Sequence, residues 1–368
     1  MITEISIDGF RCFNHTHIKG FEQVNLLGGK NNSGKTALLE AIMLACQPNE
    51  ITLAFLRDTL RKESTQMIAE MPNKVWDNLF YQQQDKPIQI NLTVNTQKYE
   101  VQFLKKENEG NVLLLLFRRV QYKIIFNNYG EQKYEMQVNI PVETKHTSGL
   151  PNRPAYSVYT DKYEPVIDSD KHLSRPFIYK NVETLFGLPI SNAMLAAKYN
   201  ELELNSHDDL FLQALNAIDE DIDKVRISIA GEHILYARRK GEKQLLPLTL
   251  FGDAINSVAK LIFAILDAKD GILLIDEIEN GIHYTNHDKI WTLLFQLAKQ
   301  HNVQVFTTTH SREMIEAFAQ TSINNDQCSS AYFEMARHAK TNEIIGTKLL
   351  PDVLTYRLNV DKPLRGEL

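Results

Sequence analysis

Gly29-Lys30-Asn31-Asn32-Ser33-Gly34-Lys35-Thr36 fits the spacing Gly-x4-Gly-Lys-Ser/Thr. The spacing follows from what an anion requires of a backbone. Gly29 and Gly34 let the chain curl so that the N–H groups of the loop, those of Asn31, Asn32 and Ser33 included, converge on a phosphate. Lys35 adds a point charge for the β/γ-phosphates, and the Thr36 hydroxyl is a ligand for Mg²⁺ at a helix N-terminus. The flanks agree. Phe21 to Leu27 reads as a strand running into Gly28-Gly29, whereas Ala37 to Ala45 consists of strong helix formers and Pro48 marks the end of the helix. Upstream, Ile2 to Ile7 alternates apolar and polar like a strand, with a turn containing Arg11 in between.

The complement lies near the other end of the chain. Gly271-Ile-Leu-Leu-Ile-Asp-Glu277 and Val303-Gln-Val-Phe-Thr-Thr-Thr-His310 are strand-like, and His287 to Lys299 between them has helical periodicity. Strand, helix, strand is a parallel crossover unit, and the first strand is continuously apolar, as a strand covered on both faces must be. Asp276 and Glu277 end that strand, where a carboxylate reaches a metal held by Thr36. Asp276 is the expected metal ligand, and Glu277 the expected general base for an attacking water. His310 emerges at the same carboxyl edge after Thr307-Thr308-Thr309, which suits a γ-phosphate sensor.

Composition narrows the remaining classes. With 368 residues and 43% hydrophobic content, the chain can bury a large α/β core and an inserted lobe. A net charge of −6 opposes non-specific attraction to nucleic acid or an anionic membrane. Cys12, Cys46 and Cys328 have no metal-ligand spacing and suit a reducing compartment, so a cytoplasmic location is expected. No signal peptide or bilayer-length apolar run is read, and no membrane association is expected. In the middle of the chain, Asn49 to Asn78 looks helical. Ile88 to Val94, Val112 to Phe117 and Tyr122 to Phe126 read as strands of an antiparallel β lobe, and 141–176 as a long surface connection. Helices resume at Asn192 to Tyr199 and His207 to Ile218.

Three blocks together are similar to the ABC-type, AAA-family ATPases of the chromosome-maintenance, recombination and overcoming-lysogenisation-defect class. They are Ile7-Asp-Gly-Phe-Arg11-Cys-Phe13, Asn25 to Ala41, and Ile275-Asp-Glu-Ile-Glu-Asn-Gly281. The resemblance covers both ends and leaves the middle unmatched. It implies an α/β fold: a P-loop ATPase head with a mostly parallel core sheet, an N-terminal antiparallel β lobe and a helical lobe. The corresponding division is 1–50, 51–180, 181–248 and 249–368. It further implies ATP and Mg²⁺ as ligands, Arg11 as a nucleotide contact, Glu279-Asn280-Gly281 as the dimer-facing loop and His310 as the switch histidine. A glutamine of the Q-loop type is implied as well, with Gln82, Gln83, Gln84 and Gln89 all open.

In this class a signature loop of a second subunit closes over the nucleotide. The matching stretch is Thr249-Leu250-Phe251-Gly252-Asp253-Ala254, with Thr249, Gly252 and Asp253 as contacts. It is followed by apolar residues Ile255, Val258, Ala259, Ile262, Phe263 and Leu266 at helical spacing. Leu250 stands where the class carries serine, and Ala254 where it carries glycine. Expected from the resemblance is an ATP-hydrolysing switch that forms homodimers or higher homo-oligomers. Without long heptad arms or a fused nuclease, it would regulate a separate effector, a nuclease or toxin in anti-phage defence. Two other readings stay open: a DNA-repair or recombination ATPase that binds DNA, and an ATP-cemented scaffold that does not hydrolyse. For DNA the candidates are Arg118-Arg119 with Lys123, and Arg238-Arg239-Lys240 with Lys243, although charge runs are ordinarily solvated faces.

Overall fold

The computed structural model describes residues 1–48, 52, 55–56, 77–83, 86–106, 119–128, 132–141, 178–179, 181–187, 191–228, 233–325 and 328–360. Strand β1 (Ile2–Phe10) turns at Arg11-Cys12 and returns as β2 (Phe13–Lys19), after which β3 (Val24–Gly29) leads into α1 (Lys35–Cys46). The strand β2 corrects the expectation of a bare turn between the first two strands. Its buried Phe13, Thr16 and Ile18 are interleaved with exposed His15, His17 and Lys19. With only two apolar residues on the inner face, the alternation is easily missed. The next strand begins at Val24 rather than Phe21, because the Gly20 and Phe21 amides both turn back to the Thr3 carbonyl.

Strands β4 (Ile88–Val94), β5 (Gln97–Lys106), β6 (Arg119–Asn128) and β7 (Gln132–Pro141) form an antiparallel meander. They belong to a sheet ordered β2-β1-β4-β5-β6-β7. Ile88, Ile90 and Leu92 fill one face of β4, and Asn95, at φ 55°, supplies the left-handed residue of its two-residue turn into β5. The expected helix at 49–78, the strand at 112–117 and the connection at 141–176 lie almost wholly outside the described residues.

The chain then gives β8 (Val182–Leu185), α2 (Asn192–Leu204), α3 (Asp208–Ile218), β9 (Ile222–Ser228), β10 (Ile234–Arg239) and β11 (Leu246–Pro247). The stretch read as a helical lobe therefore also holds a small antiparallel sheet, β11-β10-β9. Its inward residues are few, Ile222, Val225, Leu235 and Ala237, and charged neighbours mask their period. Phe211 of α3 stacks on Phe263 of α4 (Asp253–Asp267) at 4.9 Å between ring centres.

Beyond α4 come β12 (Ile272–Ile275), α5 (His287–Gln300), β13 (Gln304–Thr309), α6 (Arg312–Asn324), β14 (Ser330–Arg337), β15 (Ile344–Leu349) and α7 (Pro351–Asn359). The central sheet runs β15-β14-β3-β13-β12-β8, with β15 the antiparallel edge and the others parallel. Every residue of β3, β12 and β13 is buried, which explains why their polar residues are limited to Asn25, Gln304 and the threonines. Trp291 of α5 is fully buried and donates its indole N–H to the Met314 carbonyl of α6 at 3.0 Å. That bond satisfies the one polar atom of a side chain otherwise suited to the core.

The chain divides into two compact units, residues 1–4, 17–39 and 179–368 in one, and 5–16 with 40–178 in the other. The first contains the parallel sheet and the site described next. Among the described residues no helix is long and apolar enough to cross a membrane.

Candidate active site

Strand order decides which residues meet. Because β13 lies between β3 and β12 and all three are parallel, their carboxyl ends share one edge of the sheet. The register places Thr309 opposite Gly28 and Thr307 opposite Ile275. Gly29 to Thr36 after β3, Asp276-Glu277 after β12 and His310 after β13 are therefore brought together, although 240 residues separate Thr36 from Asp276.

The loop needs its glycines. Gly29 has φ 151°, and a Cβ there would stand 2.3 Å from the Met335 carbonyl oxygen and 2.7 Å from Ser33 Oγ. Asn31 and Asn32 are exposed at the apex, with Asn32 in the left-handed region at φ 65°, and Gly34 turns the chain at φ 87°. Helix α1 is then closed by the Leu38 amide donating to the Gly34 carbonyl at 2.9 Å. Ser33 Oγ is buried without a hydrogen-bond partner among the described residues, an orphan that a phosphate oxygen would satisfy.

Lys35 is 5% exposed, and its Nζ donates to the Gly29 and Lys30 carbonyls at 2.9 Å each. Burial pulls its pKa down to about 8, against the opposing pull of Asp276, Glu279 and Glu277. The Thr36 hydroxyl donates to Asp276 at 3.0 and 3.1 Å. A hydroxyl beside a carboxylate at a helix N-terminus is an oxygen donor set that fits Mg²⁺, which keeps most of its ligands as water and phosphate. Among the described residues no cluster of three or more His, Cys, Asp or Glu forms, so a carboxylate cage is not the arrangement here.

Glu277 takes φ 56°, unusual for a residue with a side chain, and two contacts hold it there. Its N–H donates to Thr308 Oγ1 at 2.8 Å, and its Oε2 accepts from Asn280 Nδ2 at 2.8 Å. Its Oε1 lies 3.9 Å from His310 Nε2. His310 donates its own amide to Glu279 Oε1 at 2.6 Å. Burial first and then Lys35 push the imidazole below its ordinary pKa, with the three carboxylates opposing, so the ring is neutral at physiological pH.

The remaining expected contacts lie as follows. Thr249, Gly252 and Asp253 take no part in the bonds joining the P-loop to Asp276, Glu277 and His310. They form an exposed corner at the start of α4, where Gly252 turns at φ 91° and Leu250 is 68% exposed. Gly281 lies against this corner, because a Cβ there would be 3.0 Å from Ser257 Oγ, and the Ser257 hydroxyl donates to the Asn280 carbonyl at 3.2 Å. Arg11 belongs to the second unit, where its Nε donates to Glu40 at 3.0 Å and its Nη1 to the Asn78 carbonyl at 3.0 Å. Of the glutamines, Gln82 is exposed in a turn, Gln83 shares that turn, Gln89 of β4 donates to Glu100 at 2.6 Å, and Gln84 lies outside the described residues.

Sequence reasoning missed Thr308 and Arg337. Thr308 Oγ1 donates to Asp276 Oδ1 at 2.6 Å while accepting from Glu277. The signal was the threonine run itself, which does not say which hydroxyl faces the acids. Arg337, at the end of β14, donates to the Asn32 carbonyl at 3.4 Å and brings a second cation to the loop apex. Its motif-free position offered no signal.

Residues 24–316 match the protein family described as "AAA domain, putative AbiEii toxin, Type IV TA system". A protein of Helicobacter pylori (strain ATCC 700392 / 26695) named "ATP/GTP phosphatase" is 25% identical over 346 residues, covering 87% of this chain and 88% of the relative. Among solved structures, the SMC head domain from Thermotoga maritima is similar at 12% identity and a TM-score of 0.41, over 95% of this chain and 99% of the other. The Smc head domain with an extended coiled coil, bound to the C-terminal domain of ScpA derived from Pyrococcus furiosus, gives 10% identity and 0.48, over 98% and 99%.

Proposed function

The chain belongs to the family described as "AAA domain, putative AbiEii toxin, Type IV TA system", and on that footing we propose that it binds and hydrolyses ATP at the carboxyl edge of β3, β13 and β12. The observation that carries the reading is the bond from Thr36 to Asp276, which joins the two halves of the motif around one point. The name of the Helicobacter pylori relative, "ATP/GTP phosphatase", supports the same chemistry.

The residues divide the work by their bonding capacity. Amides of 29–36, Ser33 Oγ and Lys35 bind the β- and γ-phosphates. Thr36 and Asp276 would hold Mg²⁺, which when bound neutralises charge on the phosphate oxygens. Glu277, with one oxygen held by Asn280, orients a water through the other and takes its proton as the water oxygen attacks the γ-phosphorus and the bond to the β–γ bridging oxygen breaks. Neutral His310, whose main chain is fixed by Glu279, stands beside the same carboxylate to contact the γ-phosphate.

Closure by a second copy is the finer part of the proposal. The exposed corner at Thr249, Gly252 and Asp253, opening α4 beside Gly281, supports a contact in trans to the nucleotide, in a homodimer or larger homo-oligomer. Partner-dependent work on a separate toxin or nuclease, in anti-phage defence, belongs to the same proposal, and the words of the family description, a putative toxin and a Type IV TA system, support a toxin–antitoxin setting for it. Leu250 and Ala254 favour slow turnover and keep the scaffold reading alive. DNA binding gains nothing from Arg238 and Arg239, whose guanidinium groups are paired with Asp223 and Asp219 at 2.9 Å. The Arg119 and Lys123 side chains lie outside the described set.

Phosphate release by the purified protein with ATP and Mg²⁺ tests the proposal, with Lys35→Ala as the control. Equal release by both proteins, or none by either, would remove the enzyme reading.

A further inference from the structure

We propose that Thr308 is a positioning residue for both acidic groups of the site, an inference that rests on the ATPase reading above. Thr308 has no exposed surface and sits next to the end of β13, between the strand that feeds the P-loop and the strand that feeds the acids. Its hydroxyl is used twice, accepting from the Glu277 amide at 2.8 Å and donating to Asp276 Oδ1 at 2.6 Å. Its carbonyl accepts the Ile278 amide at 3.1 Å. Three consecutive residues beyond β12 therefore hang on one residue of the neighbouring strand.

The chain of bonds has only one polarity. An amide can donate but not accept, so the Thr308 oxygen must take the Glu277 N–H and turn its own proton toward Asp276. That orientation fixes one carboxylate oxygen and leaves Oδ2, at 3.1 Å from the Thr36 hydroxyl, as the oxygen not held by Thr308. It also supplies the main-chain partner that keeps Glu277 at φ 56°, a conformation that persists in a residue with a side chain only when its surroundings hold it. The two flanking threonines serve as built-in comparisons. Thr307 Oγ1 is buried with no partner among the described residues, and Thr309 Oγ1 accepts the Ser311 amide at 3.0 Å. Three identical residues stand in a row, and only the middle hydroxyl touches the acids.

The test is steady-state ATP turnover by Thr308→Val, Thr308→Ser and Thr307→Val. The expected kcat of Thr308→Val falls about 30- to 100-fold while KM for ATP stays within about threefold, since a misplaced base slows chemistry more than it weakens binding. Thr308→Ser restores the rate to within about threefold, and Thr307→Val leaves it unchanged, because only a hydroxyl at 308 is required. In a Glu277→Gln background, Thr308→Val costs at least about threefold less than it does in wild type, because only the contribution through Asp276 is left to lose, a shortfall that a purely structural role would not produce. Should Thr308→Val not fold, Thr308→Cys, with a weak donor of similar size, replaces it. A Thr308→Val enzyme within about threefold of wild type, an equal loss in Thr307→Val, or full additivity with Glu277→Gln would each overturn the inference alone. A wild type without Lys35-dependent phosphate release would sink the ATPase reading and this inference with it.

Discussion

Nucleotide affinity should fall as the pH climbs through 8, and the cause is a single buried amine. Lys35 lies almost out of contact with water between two carbonyls, so burial lowers its pKa from 10.5 to about 8, although three acids nearby pull the other way. Only the ammonium form attracts the β- and γ-phosphates. Added negative charge from a triphosphate raises the pKa again in the complex, so above about pH 8 the complex holds one more proton than free protein and ligand together. A group with a pKa of about 8 is roughly three-quarters protonated at about pH 7.5 and roughly 3% protonated at about pH 9.5. Wild-type affinity for ATP should therefore drop about 20-fold between those two values, close to 2 kcal/mol. Calorimetric titration of ATP at several pH values measures this directly, and repeating it in buffers of different ionisation heat counts the protons taken up. Lys35→Arg, whose guanidinium stays charged throughout, should flatten the profile even if it binds more weakly overall. A flat wild-type profile, or the same slope in Lys35→Arg, would refute the assignment of Lys35 to the phosphates.

Three other outcomes follow from the geometry. Glu277→Gln should bind ATP normally yet release phosphate at least about 100-fold more slowly, and size-exclusion chromatography with ATP should show a larger species; unchanged size would count against closure by a second copy. Gly29→Ala should lose ATP binding and about 2–3 kcal/mol of stability, since the added Cβ meets the Met335 carbonyl at 2.3 Å in a backbone conformation unsuited to alanine; a thermal melt and a titration matching wild type would contradict this. Thr36→Val keeps the side-chain shape and removes the oxygen, so turnover should demand at least about tenfold more Mg²⁺ for half-saturation, and an unshifted Mg²⁺ dependence would exclude Thr36 as a ligand.

The elements whose side chains obey one simple rule were legible in advance. Strands β12 and β13 were readable because full burial demands apolar or β-branched runs, and helix α5 because its buried residues recur at helical spacing between exposed polar ones. The glycines of 29–36 declared a loop because a Cβ at Gly29 would meet the Met335 carbonyl and Gly34 turns the chain in the left-handed region at φ 87°. Strand β2 was missed because His15, His17 and Lys19 cover its outer face. The β11-β10-β9 sheet was missed for a similar reason: Arg226, Arg238 and Arg239 pair with Glu203, Asp223 and Asp219 and hide a four-residue inner face. Within the site, residue types pointed to Asp276, Glu277 and His310. The roles of Thr308, Asn280 and Arg337 needed the register between strands and the course of the loops, neither of which is written in local sequence.

In the proposed mechanism one nucleotide is shared by residues from both ends of the chain. A crystal structure of Glu277→Gln with ATP and Mg²⁺ tests it most directly. The expected density shows the triphosphate wrapped by 29–36, Lys35 on its β- and γ-phosphates, and the metal touching both Thr36 and Asp276. ATP bound elsewhere, or a metal contacting neither residue, would contradict it.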